Sequence, residues 1–354
     1  MLCLGIESSC DDTSLALLEN RRVLAEAASS QASLHALFGG VVPEVASREH
    51  ARHMGVLCDH VFALAGKKPQ QVDVVAVARG PGLLGSLLVG VAFAKAFALG
   101  VGADFIGVNH LHAHLMAAAM EHPFPFPALG LLVSGGHTHI YRMESCTEFV
   151  LLGKTLDDAA GEAFDKAGKM LGLPYPAGRH IDELSREGQV SPMLFPCPYL
   201  DNDTLDFSFS GLKTAMSVYL SKHDLPRCQW EIADGQVFVA GDRQRIADIC
   251  ASYSHALVKT LVTKFARAMA LHPEIRTLVL AGGVAANSLL RAEMEKLAAG
   301  RNSKLYAPPL RLCADNGAMI GFLGALLHER GLRSSLSAEA IPRGRPFPDD
   351  LLPC

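Results

Sequence analysis

The stretch Leu2–Leu18 reads LCLGIESSCDDTSLALL and contains two short apolar runs separated by a polar turn. Leu2–Glu7 and Ser14–Leu18 have the composition of buried strands, and Ser8–Thr13 is rich in the residues that favour turns. The segment therefore predicts a strand, a turn and a returning strand at the start of the chain.

The same arrangement occurs again further along the chain. Ala128–Val133 is an apolar run, Ser134–Thr138 (SGGHT) is a small polar turn, and His139–Met143 resumes the apolar pattern. A third turn of small residues, Ala281–Asn287 (AGGVAAN), follows the apolar run Leu278–Leu280 and precedes a helix. Repeated strand–turn–strand units with helices after them predict two similar α/β lobes.

Hydrophobic periodicity predicts the elements between these units. They are a helix over Pro43–Ala65, a buried strand over Val72–Ala78, a Gly- and Ala-rich helix over Leu83–Gly100, and an apolar helix over Leu312–Leu327. Two stretches lack periodicity: Gln189–Asp206 is predicted to be a loop, and Gly235–Arg243 is predicted to be an irregular insertion with no assigned role.

Composition limits the class of protein. The chain has 354 residues, of which 49% are hydrophobic and 19% charged, which suits two folded domains. Its net charge is -4, so basic residues are not in excess. Any contact with RNA therefore needs a local basic patch or a partner. The 9 scattered cysteines suit reduced thiols. No signal peptide is evident, and Leu83–Gly102 falls short of a membrane span. We expect a soluble, cytoplasmic chain with no membrane contact.

Two histidines carry the metal hypothesis. His110 and His114 are four residues apart, so on a helix they share one face and can reach one metal ion. His112 points away from that face. The position after the first histidine is Leu111, where a metallopeptidase of the HEXXH type has its catalytic Glu, so that class is disfavoured. Asp315, at the start of an apolar helix, is interpreted from its position as an N-cap.

Three turns have the small residues that allow a backbone to approach an anion: Ser8–Thr13, Ser134–Thr138 and Ala281–Asn287. Ordinary hairpins and tight helix–strand packing use the same residues. No GxxxxGK[ST] motif is present, which disfavours a P-loop NTPase. Asp165, in an acid-rich stretch with apolar neighbours, is a candidate for binding ligand hydroxyls, and Asp182 is a weaker one.

The order and length of these motifs resemble the tRNA adenosine threonylcarbamoyltransferase family of the bacterial TsaD type, from Met1 to about Pro348. The resemblance rests on Gly5–Thr13, the His110 and His114 pair, Leu132–Thr138, Asp158–Lys166, Phe207–Lys213, Ala281–Asn287 and Asp315–Met319.

The resemblance implies an α/β protein with a two-lobed actin/Hsp70/sugar-kinase-like fold and two RNase-H-like domains. Residues 1–109 with 310–354 would form the first lobe, and residues 110–309, with helical insertions, the second. The implied activity is acyl transfer: the threonylcarbamoyl group of threonylcarbamoyl-AMP passes to the exocyclic amine of adenosine 37, in tRNAs that read codons beginning with A.

The resemblance also implies the site residues. His110, His114 and Asp315 would hold one divalent metal ion, with Fe²⁺ favoured and Zn²⁺ as the alternative. The substrate-binding residues would be Leu132, Val133, Ser134, Gly135, Gly136, Asp165, Gly178, Asp182 and Asn287. Besides tRNA and the adenylate, the implied partners are a paralogous inactive subunit and a small ATPase subunit. At Ala177 the family commonly has glycine, and at Arg179 a small residue or proline.

Two questions stay open at this level. Asp11, in the first turn, is our hypothesis for the group that takes the proton of the attacking amine. The main alternative function is a small-molecule kinase or ATPase of the same fold, because phosphate-binding turns serve ATP equally well, although such enzymes do not need a histidine pair. A non-catalytic scaffold subunit is a further alternative, and it predicts loss of the metal ligands.

Overall fold

A computed structural model describes residues 1–223 and 242–354, together with the backbone of residues 229–233 and 236–240. The strands, in chain order, are β1 (Leu2–Glu7), β2 (Asp12–Glu19), β3 (Arg22–Ser30), β4 (Val74–Gly80), β5 (Asp104–Asn109), β6 (Ala128–Val133), β7 (Thr138–Met143), β8 (Phe149–Lys154), β9 (Gln229–Ala233), β10 (Gln236–Ala240), β11 (Thr277–Ala281), β12 (Lys304–Tyr306), β13 (Leu332–Arg333) and β14 (Leu352–Pro353). The helices are α1 (Ala32–Ala36), α2 (Pro43–Ala65), α3 (Leu84–Val101), α4 (His110–Ala117), α5 (Ala160–Leu171), α6 (Gly178–Ser185), α7 (Ser210–Lys222), α8 (Arg243–Leu271), α9 (Ser288–Gly300) and α10 (Gly317–His328).

The chain forms two compact units. Unit 1 contains Met1–Pro123, Ser145–Glu148 and Pro308–Cys354, and unit 2 contains Phe124–Glu144 and Phe149–Ala307. The sequence division assigned residues 110–123 to the second lobe, whereas they lie in unit 1. The reason is that α4 packs against α10, an element of unit 1.

Each unit contains a five-stranded sheet, and the two sheets have the same strand order. In unit 1 the order is β3-β2-β1-β4-β5, and in unit 2 it is β8-β7-β6-β11-β12. In both, the first three strands along the chain are antiparallel and the last two are parallel additions beside the first. The predicted α/β class with two similar lobes is confirmed.

Strand alternation determines what each face of the first sheet contacts. Leu2, Leu4 and Ile6 on β1 point into the apolar core formed with α2 and α3. Cys3 and Gly5 point to the opposite face, where the Cys3 thiol contacts the Gly321 carbonyl of α10. Because side chains alternate along a strand, Glu7 lies on the α10 side of the sheet.

The apolar helix α10 begins later than the sequence predicted. Residues Leu310–Leu312 form a short 3₁₀-helix instead, and the α-helix begins at Gly317. Asn316 is the N-cap, and its Oδ1 accepts a hydrogen bond from the Met319 amide at 2.8 Å. The interpretation of Asp315 as the N-cap was therefore wrong, because Asp315 precedes the capping residue.

In unit 2 the predicted loop over Gln189–Asp206 is confirmed, since it contains no helix or strand. The prediction of irregular structure for Gly235–Arg243 was wrong for its central part. Strand β10 lies there and pairs antiparallel with β9, while residues 235 and 241 lie outside the described residues.

Helix α3 is the one helix in the described residues that is long and apolar enough to cross a membrane by length and composition. The sequence interpretation had placed the stretch below that limit. In the structure α3 packs against β4 and α2, and Leu87, Val91 and Ala94 are buried there. Packing on the sheet accounts for the apolar residues on one side of α3, and a single helix of this kind is weak evidence for a membrane span.

Candidate functional site

Helix α4 brings the two predicted metal-binding histidines together. Asn109 ends β5 and caps α4, its side chain accepting hydrogen bonds from the Leu111 and His112 amides. The cap makes His110 the first helical residue, so His114 lies one turn further on the same face. The two imidazole rings are 4.6 Å apart between centroids and nearly perpendicular. Both side chains are buried.

Asp315 completes the cluster from a distant part of the chain. Its Oδ1 lies 3.0 Å from Nε2 of His114 and 3.6 Å from Nε2 of His110. All three ligand atoms lie within 4.8 Å of one another. Two imidazoles and one carboxylate, converging on one point, are a donor set that suits Fe²⁺ or Zn²⁺. The residues present therefore fit the metal that the motif implies.

Glu7 orients His110 from the side opposite the cluster. The Glu7 side chain is fully buried, its Oε2 lies 2.8 Å from Nδ1 of His110, and its Oε1 accepts a hydrogen bond from the Ser9 amide at 2.5 Å. A carboxylate at Nδ1 favours the tautomer that leaves the Nε2 lone pair facing the cluster. Burial lowers the pKa of His110, but Glu7 and Asp315 outweigh it and raise that pKa to about 9.

Carboxylates accumulate around this cluster. Burial, together with the neighbouring Asp315, Asp11 and Glu7, raises the pKa of Asp12 to about 7 against the lowering effect of a hydrogen bond from Ser30. Burial, with Asp11 and Asp315, also raises the pKa of the Cys10 thiol well above its usual value, so Cys10 stays protonated. Mutual repulsion among these carboxylates favours binding of a cation.

Replacing Glu7 with Gln is expected to weaken metal binding by roughly 10–100-fold, the usual effect of losing an outer-shell partner. A Gln amide cannot both accept from the Ser9 amide and accept from Nδ1 of His110. If the Gln oxygen accepts from Nδ1, the contact with the Ser9 amide is lost. If that oxygen accepts from the Ser9 amide, the Gln NH₂ group faces Nδ1 and the imidazole proton moves to Nε2. Calorimetric titration of the metal-free protein with Zn²⁺ measures the affinity, and Glu19→Gln, at the exposed end of β2, is the matched control. Equal affinities in the two variants would contradict the role given to Glu7.

The glycine-rich turns of unit 2 lie at one edge of its sheet. Strands β6 and β11 pair in parallel, with Leu132 opposite Ala281, so the turns that follow them begin side by side. In open α/β sheets this edge is where ligands bind. Leu132 and Val133 are themselves fully buried in the sheet, so they support the turn that follows them.

Close backbone packing shapes the turn that follows β6. The turn is closed by hydrogen bonds from the Ser134 amide to the His137 carbonyl and from the His137 amide to Ser134 Oγ. A side chain at Gly161, in the first turn of α5, would lie 2.7 Å from the Ser134 carbonyl oxygen. At Gly135 and Gly136 a side chain would meet nothing. The turn is therefore packed on its inner side and open on the other, where an anion can approach.

Asp165 on α5 contacts the backbone just before Gly178, where α6 begins. Asp165 Oδ1 accepts a hydrogen bond from the Ala177 amide at 2.8 Å, which ties α5 to the start of α6. The Ala177 methyl is buried and fills the space above Gly168, where a second Cβ would collide with it. Gly178 has open space around it, and Arg179 is exposed and pairs with Glu183. The alanine at position 177, where the family commonly has glycine, therefore fits because its methyl group packs against Gly168.

Asp182 and Asn287 meet at the start of α9. Asp182 Oδ1 accepts hydrogen bonds from the amide and hydroxyl of Ser288, and its Oδ2 pairs with Arg186. Asn287 caps α9 through Oδ1, which accepts from the Leu290 amide at 2.9 Å. Its buried Nδ2 has no hydrogen-bond partner among the described residues. A buried donor in this state is costly unless a ligand satisfies it, which supports Asn287 more strongly than Asp182 as a substrate contact.

Sequence reasoning missed three residues that form these sites. Glu7 could have been suspected, since a charged residue closing a fully apolar strand is buried only with a partner. Gly161 and Gly282 are needed because α5 and the turn after β11 approach β6 and its turn closely; Gly282 has φ of 91°, and a Cβ there would collide with the Val133 carbonyl oxygen. No local pattern distinguishes them from other glycines.

The two five-stranded sheets have the same strand order, helices pack on the first sheet, and loops follow the carboxyl ends of the parallel strands. This arrangement defines the actin-like class of α/β proteins. A solved structure agrees with this class: component A of the (R)-2-hydroxyglutaryl-CoA dehydratase of Acidaminococcus fermentans has a TM-score of 0.52 and 14% identity, with 92% of this chain and 97% of that chain covered. At this identity the likeness concerns the fold alone.

The particular family follows from sequence comparison. The model of the family TsaD, tRNA N6-adenosine threonylcarbamoyltransferase, matches residues 22–322. The protein of that name from Desulfovibrio desulfuricans is 56% identical over 100% of this chain and 97% of its own length. Its namesake from Nitratidesulfovibrio vulgaris strain DP4 is 56% identical over 99% and 98%. The chain therefore belongs to the tRNA N6-adenosine threonylcarbamoyltransferase family.

Proposed function

We propose that this enzyme transfers the threonylcarbamoyl group of threonylcarbamoyl-AMP to the exocyclic amine of adenosine 37 in tRNAs that read codons beginning with A. The observation that carries the proposal is the cluster of His110, His114 and Asp315, found in a chain that is 56% identical to proteins named for this reaction. A kinase or ATPase of the same fold is not favoured, because such a reaction gives no role to the two imidazoles.

His110, His114 and Asp315 are the proposed ligands of one divalent metal, with Fe²⁺ favoured over Zn²⁺. When bound, the ion would supply Lewis-acid polarisation of a substrate oxygen and a fixed point for the threonylcarbamoyl group. The chain's own contribution is orientation. Glu7 holds Nε2 of His110 toward the cluster, and the cap at Asn109 fixes the start of α4.

Unit 2 is the proposed site for the adenylate part of the substrate. The backbone of Gly135 and Gly136 is suited to the phosphate, since the turn is open on that side, and Ser134 closes the turn through its amide and hydroxyl. Asn287 Nδ2 is suited to donate a hydrogen bond to a ribose or base acceptor, and Asp165, Gly178 and Asp182 shape the surrounding helix starts. The adenylate is an activated anhydride, so transfer needs positioning and charge stabilisation and no further ATP hydrolysis.

Asp11 is the proposed proton acceptor for the attacking amine, from its position in the first turn, two residues after Ser9, whose hydroxyl lies 3.3 Å from Nδ1 of His110. The other proposed partners are a paralogous inactive subunit and a small ATPase subunit. An exposed apolar face on α3, formed by Leu84, Leu88 and Leu99, supports docking of a protein partner. The net charge of -4 is consistent with tRNA binding that depends on such partners. We place the reaction in the cytoplasm.

The test is reconstitution of the modification. The protein is combined with tRNA, purified threonylcarbamoyl-AMP and the two partner subunits, and the tRNA is digested and analysed for threonylcarbamoyladenosine by mass spectrometry. The proposal predicts the modified nucleoside with wild type and none when this chain is omitted. Product absent from wild type that binds metal and AMP normally would refute the transferase function. An Asp11→Ala variant with an undiminished rate would refute only the role of Asp11.

A further inference from the structure

A second group of metal-binding side chains lies in unit 1, away from the histidine pair of α4. Among the described residues, two groups bring ligand atoms within 4.8 Å of one another, and the second consists of Asp104, His328 and Cys354. Asp104 begins β5, His328 ends α10, and Cys354 follows β14. Asp104 and His328 are half-buried, and Cys354 is exposed.

Backbone contacts hold Asp104 and Cys354 in place. The Asp104 amide donates to the Asp73 carbonyl at 2.9 Å, continuing the pairing of β5 with β4. Strands β13 and β14 pair antiparallel, and beyond them the Cys354 amide donates to the Gly331 carbonyl at 2.7 Å. Gly331 lies three residues after His328 along the chain, so this hydrogen bond places the thiol beside the end of α10.

The side chains present three different donor types to one point. Asp104 Oδ2 lies 2.9 Å from Nε2 of His328, and the Arg333 guanidinium lies 3.5 Å from the other carboxylate oxygen. Arg333 is about half exposed, so solvent screens its charge. A cavity of about 410 Å³, lined in part by Asp104, Arg333 and Ser334, adjoins the cluster and leaves room for a water or an anion as a fourth ligand.

We propose that Asp104, His328 and Cys354 form a second divalent-metal site, distinct from the site of His110, His114 and Asp315, and that its ion is Zn²⁺. Thiolate, imidazole and carboxylate are the three protein ligands that zinc accepts, and a thiolate favours it over harder cations. Bound zinc would join the start of β5, the end of α10 and the segment after β14, and would therefore stabilise this part of unit 1. The proposal does not depend on the transferase function.

Cobalt provides a selective readout, because a bond between Co²⁺ and a thiolate gives a near-ultraviolet charge-transfer band. The ligands of the first site include no sulfur. Titration of the reduced, metal-free, full-length protein with Co²⁺ is expected to produce this band with the amplitude of one thiolate-bound ion per chain, and added Zn²⁺ is expected to remove it. The band should persist in a His110→Ala, His114→Ala double variant.

Variants assign the band to its ligands. Cys354→Ser is expected to abolish it, whereas Cys197→Ser, which changes a half-buried thiol outside the cluster, should leave it intact. Asp104→Asn and His328→Gln should each weaken Co²⁺ binding by more than the roughly 10–100-fold expected for an outer-shell group. In the double histidine variant, Zn²⁺ should raise the urea midpoint only while Cys354 is present. A wild-type protein without the band at saturating Co²⁺, or a band retained in Cys354→Ser, would overturn the proposal.

Discussion

Replacing His114 with alanine is expected to abolish metal binding at the α4 cluster and to reduce threonylcarbamoyl transfer by more than about 100-fold, the upper range for losing an outer-shell partner. His114 is fully buried, and its Nε2 is the imidazole nitrogen closest to Asp315, at 3.0 Å. After the substitution only His110 and Asp315 remain as ligands, and two ligands cannot hold a divalent ion as three do. Metal content after anaerobic loading with Fe²⁺, and the rate of nucleoside formation, measure the two effects.

His112→Ala is the matched control for this experiment. It removes the same type of side chain from the same helix, but His112 is outside the ligand group, and its amide contact with the Asn109 cap is unaffected. We expect it to take up as much Fe²⁺ as the wild type and to have near wild-type activity. Unchanged metal content and rate in His114→Ala would show that the cluster is not the metal site. Near-ultraviolet circular dichroism separates the expected loss of metal and activity from unfolding.

The bounds of several elements were predictable because local chemistry marks both ends. Helix α2 coincides with the predicted Pro43–Ala65, since proline suits its first turn and Gly66 takes the left-handed conformation at its end, with φ of 62°. Strands β1 and β6 coincide with Leu2–Glu7 and Ala128–Val133, because polar turn residues follow each apolar run. In these elements the conformation that the local sequence favours is also the one that tertiary packing requires.

The start of α10 was mispredicted because the apolar pattern extends past the helix. Leu312 and Cys313 are buried like the helix itself, so periodicity includes them. The backbone begins the α-helix only where Asn316 can cap it. The consequence for function is large, because this boundary leaves Asp315 outside the helix and beside His114. Only the family resemblance had indicated Asp315 as a ligand.

The site was predictable to the extent that its residues are close in sequence. His110 and His114 follow from helical spacing, whereas Glu7 and His110 are separated by 103 residues and share no pattern. Their contact depends on β1 and β5 lying one strand apart in the sheet, with β4 between them. Similarly, Asp165 and Asp182 were identified as candidates, but their partners, the Ala177 and Ser288 amides, depend on how α5, α6 and α9 pack.

Replacing Gly5 with alanine is expected to cost at least the upper part of the roughly 1–3 kcal/mol typical of overpacking, and to disorganise the metal site as well. A Cβ at Gly5 would collide with backbone atoms of α10, including the Gly321 amide nitrogen at 2.5 Å and the Gly317 carbonyl oxygen. Backbone atoms cannot rotate away as a flexible side chain can, so α10 must move off the sheet. The position tolerates only glycine for this steric reason.

The same displacement should reach the metal ligands, because both partners of the contact continue directly into the site. Gly5 precedes Glu7 by two residues on β1, and Gly317 follows Asp315 by two residues at the start of α10. Moving α10 away from β1 would therefore separate Asp315 from His110, which Glu7 holds. We expect a lower urea midpoint and weaker Zn²⁺ binding together. Gly55→Ala, in the exposed interior of α2 where a Cβ meets nothing, is the control and should stabilise the protein by up to about 1 kcal/mol. A Gly5→Ala variant with an unchanged midpoint and normal metal affinity would show that α10 does not position Asp315.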